Sequence, residues 1–159
     1  MRESSAIGEG EPQWSQVHGG RQRLAMRSLR CQVCGGQLDR EKPLPWVFSV
    51  SELSALREAE ARELPAVTAT PPCCVPCSRV AARLCPHLVR DGSVLCLVAS
   101  TEPWGALGDL YALDKKVRGR VLMQFGDPRI GLLLGKQALV AVAGIDELSP
   151  SSSEPRQIR

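Results

Sequence analysis

The 159-residue sequence predicts a small α+β domain with short strands, two to three helices and disordered N- and C-terminal tails. Three features lead there. Cys31 and Cys34 form a CxxC pair in CQVCGG, and about forty residues later Cys74 and Cys77 form a second pair in CCVPC. Around these pairs, short β-branched and aromatic runs alternate with one stretch of strong helix formers. Polar, aperiodic segments stand at both ends. Two CxxC pairs so spaced can close four thiolates around one tetrahedral zinc ion. The order knuckle, strand, helix start is the treble-clef arrangement of such sites.

Taken in chain order, residues 1–26 are polar and Gly-rich, with Trp14, Val17 and Leu24 the sizeable apolar side chains before Met26; they read as a disordered leader. Met26 stands directly before RSLRCQVCGG and is an alternative initiator, so a single domain is expected over residues 27–148. In CQVCGG a tight turn carries both sulfurs, and Gly35 and Gly36 permit it because glycine reaches positive φ without penalty. Pro43 and Pro45 break the chain, and Trp46, Val47, Phe48 and Val50 read as a short strand. Ser51 or Ser49 then caps a helix over SELSALREAEARE, with Leu53 and Leu56 facing inward. Pro65 ends it, VTAT is extended, and Pro71 and Pro72 position the second cysteine pair.

From Cys77, SRVAARL reads as a helix with Val80 and Leu84 toward the core. Its N-terminus suits anionic sulfur, because free N–H groups and the positive end of the helix dipole stabilise a thiolate. Pro86 stops this helix, and VLCLVA at residues 94–99 reads as a buried strand containing Cys96. TEPWGALGDLY reads as a loop, DKKVRGR as a basic stretch, and VLMQF at residues 121–125 as a strand. Asp127 and Pro128 have the form of an N-cap and first helical residue. They introduce Ile130, Leu133, Leu134, Ala138 and Ala141 at helical spacing, with Gly144 at the C′ position; a strand over residues 138–143 is the rival assignment. Residues 149–159, SPSSSEPRQIR, read as a disordered tail.

Composition excludes several classes. No apolar run approaches the roughly 20 residues a bilayer-spanning helix needs, and no signal-peptide pattern opens the chain, so a cytoplasmic protein without a membrane partner is expected. Seven cysteines are an odd number, and CxxC pairs in a reducing compartment favour metal over a disulfide framework. The formal charge of +3 falls to about +1 once four thiolates and a zinc dication are counted, too little to argue for nucleic acid alone. Arginine outnumbers lysine sixteen to four, which fits a GC-rich genome as well as phosphate recognition. With His18 and His87 the only histidines, a histidine-dependent nuclease has no ligand set. Neither GxxxxGK[ST] nor GxGxxG occurs, so no nucleotide cofactor is expected.

Cys31, Cys34, Cys74 and Cys77 are therefore the expected zinc ligands, with Cys73 a neighbouring or spare thiol and, as the less favoured alternative, a ligand itself. Cys85 and His87, in LCPHL, either add or replace ligands or else pack and hydrogen-bond locally. A zinc closed by four thiolates is structural, which makes the chain a binding or regulatory module with no catalytic residues and with a protein or nucleic acid as partner. Arg79 and Arg83 on the Cys77 helix, with Lys115, Lys116, Arg118 and Arg120, are candidate nucleic-acid contacts, against the simpler reading of solvated basic faces. The rival from another class is a thiol–disulfide oxidoreductase using Cys74 and Cys77 at their helix start. Against it, Pro71 and Pro72 stand where such a fold expects a strand.

LRCQVCGGQLDR followed by TPPCCVPCSRVAARLCPHL resembles a group of small Cys-rich actinomycete proteins, many from Streptomyces, that share CQVCG, PPxCxxC and CPHL elements. The resemblance covers about residues 29–90 and rests on Cys31, Cys34, Cys74, Cys77, Cys85 and His87. Residues 49–65 depart from the group's pattern, and Cys73 stands where an apolar residue is usual. The resemblance implies a metal site and an actinobacterial origin, and it carries no activity.

Overall fold

The structure, a computed structural model, describes residues 18–112 and 115–148. The tail expected over 149–159 and the first 17 residues of the expected leader lie outside them. In chain order the elements are α1 (Gly19–Ser28), β1 (Leu44–Ser49), α2 (Val50–Ala61), β2 (Ala66–Thr68), α3 (Val75–Leu84), α4 (Pro86–Asp91), β3 (Ser93–Ala112), β4 (Lys115–Gln124) and β5 (Leu133–Glu147), with a 3-10 turn at Ile130–Leu132. The result is an α+β fold whose strands form one antiparallel sheet in the order β1-β3-β5-β2, with β4 also paired to β3.

The 20-residue β3 is the spine. Along one edge it pairs first with β1, from Ser93↔Ser49 to Val98↔Leu44, and then with β4, from Gly105↔Gln124 to Ala112↔Lys115. Along the other edge it pairs with β5, from Cys96↔Glu147 to Leu110↔Leu133. The stretch TEPWGALGDLY, expected as a loop, is therefore strand. Its proline and glycines mark register shifts: the β3–β5 ladder shifts between Pro103 and Gly105 and again between Leu107 and Gly108. A Cβ on Gly105 would stand 2.0 Å from the Met123 carbonyl oxygen, and one on Gly108 2.2 Å from that of Leu134. These glycines admit a neighbouring backbone; they do not break the strand.

The helix expected through Ile130 and Ala141 is also corrected. Apart from the 3-10 turn these residues form β5, in agreement with the rival strand assignment over 138–143. Pairing with β3 on one edge and β2 on the other overrides the apparent 3.6-residue spacing. Asp127 accepts from the N–H of Arg129 at 2.8 Å in a local turn, so it is not a helix N-cap. Gly144, at φ +65°, lies inside β5 where a Cβ would come 2.8 Å from that of Ala99.

One face of the sheet carries the main core. Leu44, Trp46 and Phe48 alternate along β1 and meet Leu53 and Leu56 of α2, Met26 of α1, and Cys96, Val98, Val140 and Val142 of the central strands. The Trp46 and Phe48 rings stack with centroids 6.1 Å apart, and the Trp46 indole N–H donates to the Thr70 carbonyl at 2.7 Å. Ser49 caps α2 by accepting from the Glu52 N–H at 3.2 Å, and Leu53 and Leu56 face inward as expected. The Glu52 carboxylate accepts from the hydroxyls of Thr68 (2.6 Å) and Thr70 (3.0 Å), tying the start of α2 to β2. Val47 points to the opposite face, where α3 and α4 build a smaller cluster with Cys31, Cys73 and Leu88. On α3 the inward residues are Cys77, Ala81 and, just past its end, Cys85. Val80 and Leu84, expected in the core, are 51% and 67% exposed.

The leader expectation fails over residues 19–26, which lie in α1. His18 caps this helix, its Nδ1 accepting from the Arg21 N–H at 3.2 Å. Gln22, fully enclosed, is the reason the helix belongs to the fold. Its Oε1 accepts from the Ala138 N–H at 2.8 Å, and its Nε2 donates to the carbonyls of Ala138 and Ala69, both at 2.8 Å. β2 leaves the edge of β5 after Thr68↔Val140, and the Gln22 amide takes the place of the next peptide group. Gln22→Ala would leave three buried backbone groups without partners and should destabilise the protein by about 2–4 kcal/mol. Urea unfolding of the two proteins checks this, and an unchanged midpoint would remove Gln22 from the account.

Candidate metal centre

CQVCGG folds as a knuckle between two short extended pieces joined by the antiparallel bridge Arg30↔Gln37. Cys31 N–H donates to the Gly36 carbonyl (2.9 Å) and Gly35 N–H to the Cys31 carbonyl (2.8 Å). Gly35 takes φ +73°, the conformation that closes the turn and that a side chain would oppose. The second pair is placed by residues 71–73. Gln32 N–H donates to the Pro72 carbonyl and Cys73 N–H to the Pro45 carbonyl, both at 3.0 Å, so this segment runs between the knuckle and β1. Cys74 is the N-cap residue of α3, with proline in the first turn, and Ser78 holds that turn by donating from its hydroxyl to the Cys73 carbonyl at 3.0 Å.

These two supports bring Cys31, Cys34, Cys74 and Cys77 together with all four sulfurs within 4.8 Å of one another. The Cys34 and Cys74 sulfurs are 3.9 Å apart. A tetrahedron with metal–sulfur bonds of about 2.3 Å has edges of about 3.8 Å, so the group has the dimensions of a four-thiolate site. No disulfide joins the four. Cys31 is buried, Cys74 and Cys77 half-buried, and Cys34 exposed, which sets the group at the surface with one corner open to water.

The electrostatics call for a cation. Burial raises the Cys31 thiol, but backbone N–H groups of Cys34, Cys74 and Val33 outweigh it and bring it down to about 6. Cys74 and Cys77 move the opposite way. Cys74 is raised by burial and then by the Cys31 sulfur, and Cys77 is raised first by its hydrogen bond with Cys74 and then by burial. Left to itself the cluster favours one anionic sulfur and resists more, and a bound dication supplies the charge that lets all four ionise.

Cys73 lies just outside this group. It is buried, its sulfur 3.9 Å from that of Cys31, and burial pushes its thiol up to about 12. Cys85 and His87 are also outside the group. Cys85 packs against the cluster around Val47 and Leu88, and His87 Nδ1 lies 3.3 Å from a guanidinium nitrogen of Arg90.

The expected basic contacts divide into two places. Arg79 and Arg83 are exposed on α3, beside the cysteines. Lys115, Lys116, Arg118 and Arg120 lie on β4, which pairs with the far end of β3. At about 3.3 Å per residue, β3 carries Lys115 roughly 45 Å beyond the end of β1, so the two groups do not form one surface. Asp109 of β3 takes part of the β4 charge. Its carboxylate, 8% exposed, accepts from Lys136 Nζ at 2.8 Å and Lys116 Nζ at 3.2 Å, while Oδ1 accepts from the Arg120 N–H at 3.3 Å. Sequence reading missed this residue; a lone aspartate in the apolar run GALGDLY was its one signal.

No protein-family model, curated protein or solved structure matches the chain. Among the described residues no helix is long and apolar enough to cross a membrane. What the protein does is therefore argued from its own chemistry.

The hydrogen bond from Lys136, aided by those from Lys116 and Arg120, holds the Asp109 carboxyl at about 2 in the folded chain, below its ordinary value. A carboxyl lowered on folding contributes stability above its unfolded value of about 3.9 and loses it as pH falls through the folded value. The stability difference between the wild type and Asp109→Asn should therefore be constant above about pH 5, shrink progressively below it and level off only near pH 1, below both values. Thermal melts of both proteins across that range check it; a difference that does not vary with pH would show that Asp109 acts through packing alone.

Proposed function

We propose that this chain is a zinc-stabilised binding module whose metal is structural. The observation that carries the reading is the convergence of four cysteine sulfurs, from two segments some forty residues apart, within 4.8 Å. Thiolate sulfur in a tetrahedral set selects zinc among the common divalent ions, and four protein ligands leave no position for water or substrate. The metal would then supply no Lewis-acid step. The knuckle with a second pair at a helix start is a treble-clef-like arrangement, here with β1, α2 and β2 inserted between its two parts. The partner is a protein or nucleic acid, met at the α3 face bearing Arg79 and Arg83 or along β4.

In this reading zinc clamps the knuckle to α3, and α3 with α4 covers the Val47 face of β1. The eleven-residue core on the opposite face stands on its own contacts. Loss of the metal should therefore release the knuckle, α3 and α4 while the central strands stay folded. Purified protein should contain one zinc per chain. Cys34→Ser and Cys77→Ser should lose it and gain fast hydrogen exchange over residues 29–38 and 73–91 with little change in β3 and β5, whereas Cys85→Ser should keep it. Metal-free protein with a reversible Cys74–Cys77 disulfide would overturn the proposal in favour of thiol–disulfide chemistry. A salt-dependent shift of nucleic acid in a gel, reduced by Arg79→Ala, would choose between the two classes of partner.

A further inference from the structure

α1 leaves part of the sheet uncovered. Between this helix, the middle of β3 and the start of β5 lies a groove of about 410 Å3, within the roughly 300–1,000 Å3 range of small-molecule sites. Its lining is mostly apolar: Leu29, Pro103 and Ala106 show surface there, over Met26 and Val140, which are almost wholly buried. Phe125, 56% exposed, forms one wall. Among the described residues, the charged ones lining the groove are three arginines, Arg23, Arg27 and Arg40, with no aspartate or glutamate.

The arginines are held at the rim by the backbone. Arg23 and Arg27 lie four residues apart in α1 and so project from the same side of the helix. Arg23 Nη1 donates to the Lys136 carbonyl at 2.9 Å, and Arg40 Nη2 approaches the Arg27 carbonyl at 3.5 Å. None of the three makes an ion pair with a carboxylate among the described residues. Like charges at this helical spacing repel, and an anion seated between them removes the repulsion. A wholly polar anion would leave the apolar lining of Leu29, Pro103, Ala106 and Phe125 unused, and an uncharged apolar ligand would leave the arginines unanswered.

We infer that the α1 groove binds a small amphipathic carboxylate, its apolar body on Leu29, Pro103, Ala106 and Phe125 and its head group between Arg23, Arg27 and Arg40. The site lies apart from the four cysteines and does not depend on the reading of the metal. Full-length, metal-loaded protein titrated with sodium decanoate by calorimetry tests it, with decanol as the uncharged match. Decanoate should bind saturably at one per chain, and decanol about tenfold or more weaker. Arg23→Ala/Arg27→Ala should weaken decanoate by about tenfold or more at low salt, with a smaller effect at high salt. Arg40→Ala, outside α1, should weaken it in the same direction and serves if the double variant perturbs the helix, while Arg79→Ala should change nothing. Absence of saturable binding up to about 1 mM, or equal affinity for decanol, overturns the proposal. So does unchanged affinity in the arginine variants, or a dimer that these variants dissociate, which would make a second copy the occupant.

Discussion

Burial of β1 on both faces is the constraint from which the rest of the arrangement follows. Its even-numbered residues Leu44, Trp46 and Phe48 enter the main core, and Val47 enters the cysteine-bearing cluster. A strand that alternates one residue to each side would normally leave one set in water. Here each set has its own cover, α1 and α2 on one side and α3 with α4 on the other. The same strand fixes the route of the chain between them. The Thr70 carbonyl accepts from the Trp46 ring, and three residues later the Cys73 N–H reaches back to Pro45. Between those two anchors Pro71 and Pro72 carry the chain from one side of β1 to the other.

That crossing explains how cysteines distant in sequence meet. The knuckle continues directly from α1, and the second pair continues directly from the crossing, so both halves of the site are extensions of elements already fixed by the core. The four sulfurs are gathered by hydrogen-bonded backbone, while their mutual electrostatics oppose the gathering. A cation seated among the four sulfurs would offset that opposition.

Features set by short-range chemistry were legible in the sequence. The two cysteine pairs, the Gly35 turn, the Ser49 cap and the inward Leu53 and Leu56 were all readable because each depends on a few adjacent residues. Features settled at long range were not. α1 looked like a leader because its buried side chains are few, Gln22, Ala25 and Met26, and the partners of Gln22 lie 47 and 116 residues away. β3 looked like a loop because Pro103, Gly105 and Gly108 read as breakers until β4 and β5 are seen to press against them. β5 looked helical because Ile130, Leu133, Leu134, Ala138 and Ala141 also fit a 3.6-residue repeat. On α3 the predicted helix was present but turned, since it packs through Cys77, Ala81 and Cys85 and leaves Val80 and Leu84 outside.

A sheet that ends in open peptide groups invites strands from other molecules, and this one closes its longest margins by two different means. Where β2 stops short, the Gln22 amide occupies both backbone groups of Ala138, so the remaining margin of β5 offers no template there. Along β4 no other described strand pairs with the outer side, and residues 115–120 are exposed, four of them lysine or arginine. Positive charge repeated along an uncovered strand repels a second copy approaching in the same register. The basic run of β4 is thus an edge of the kind that disfavours edge-to-edge pairing between copies.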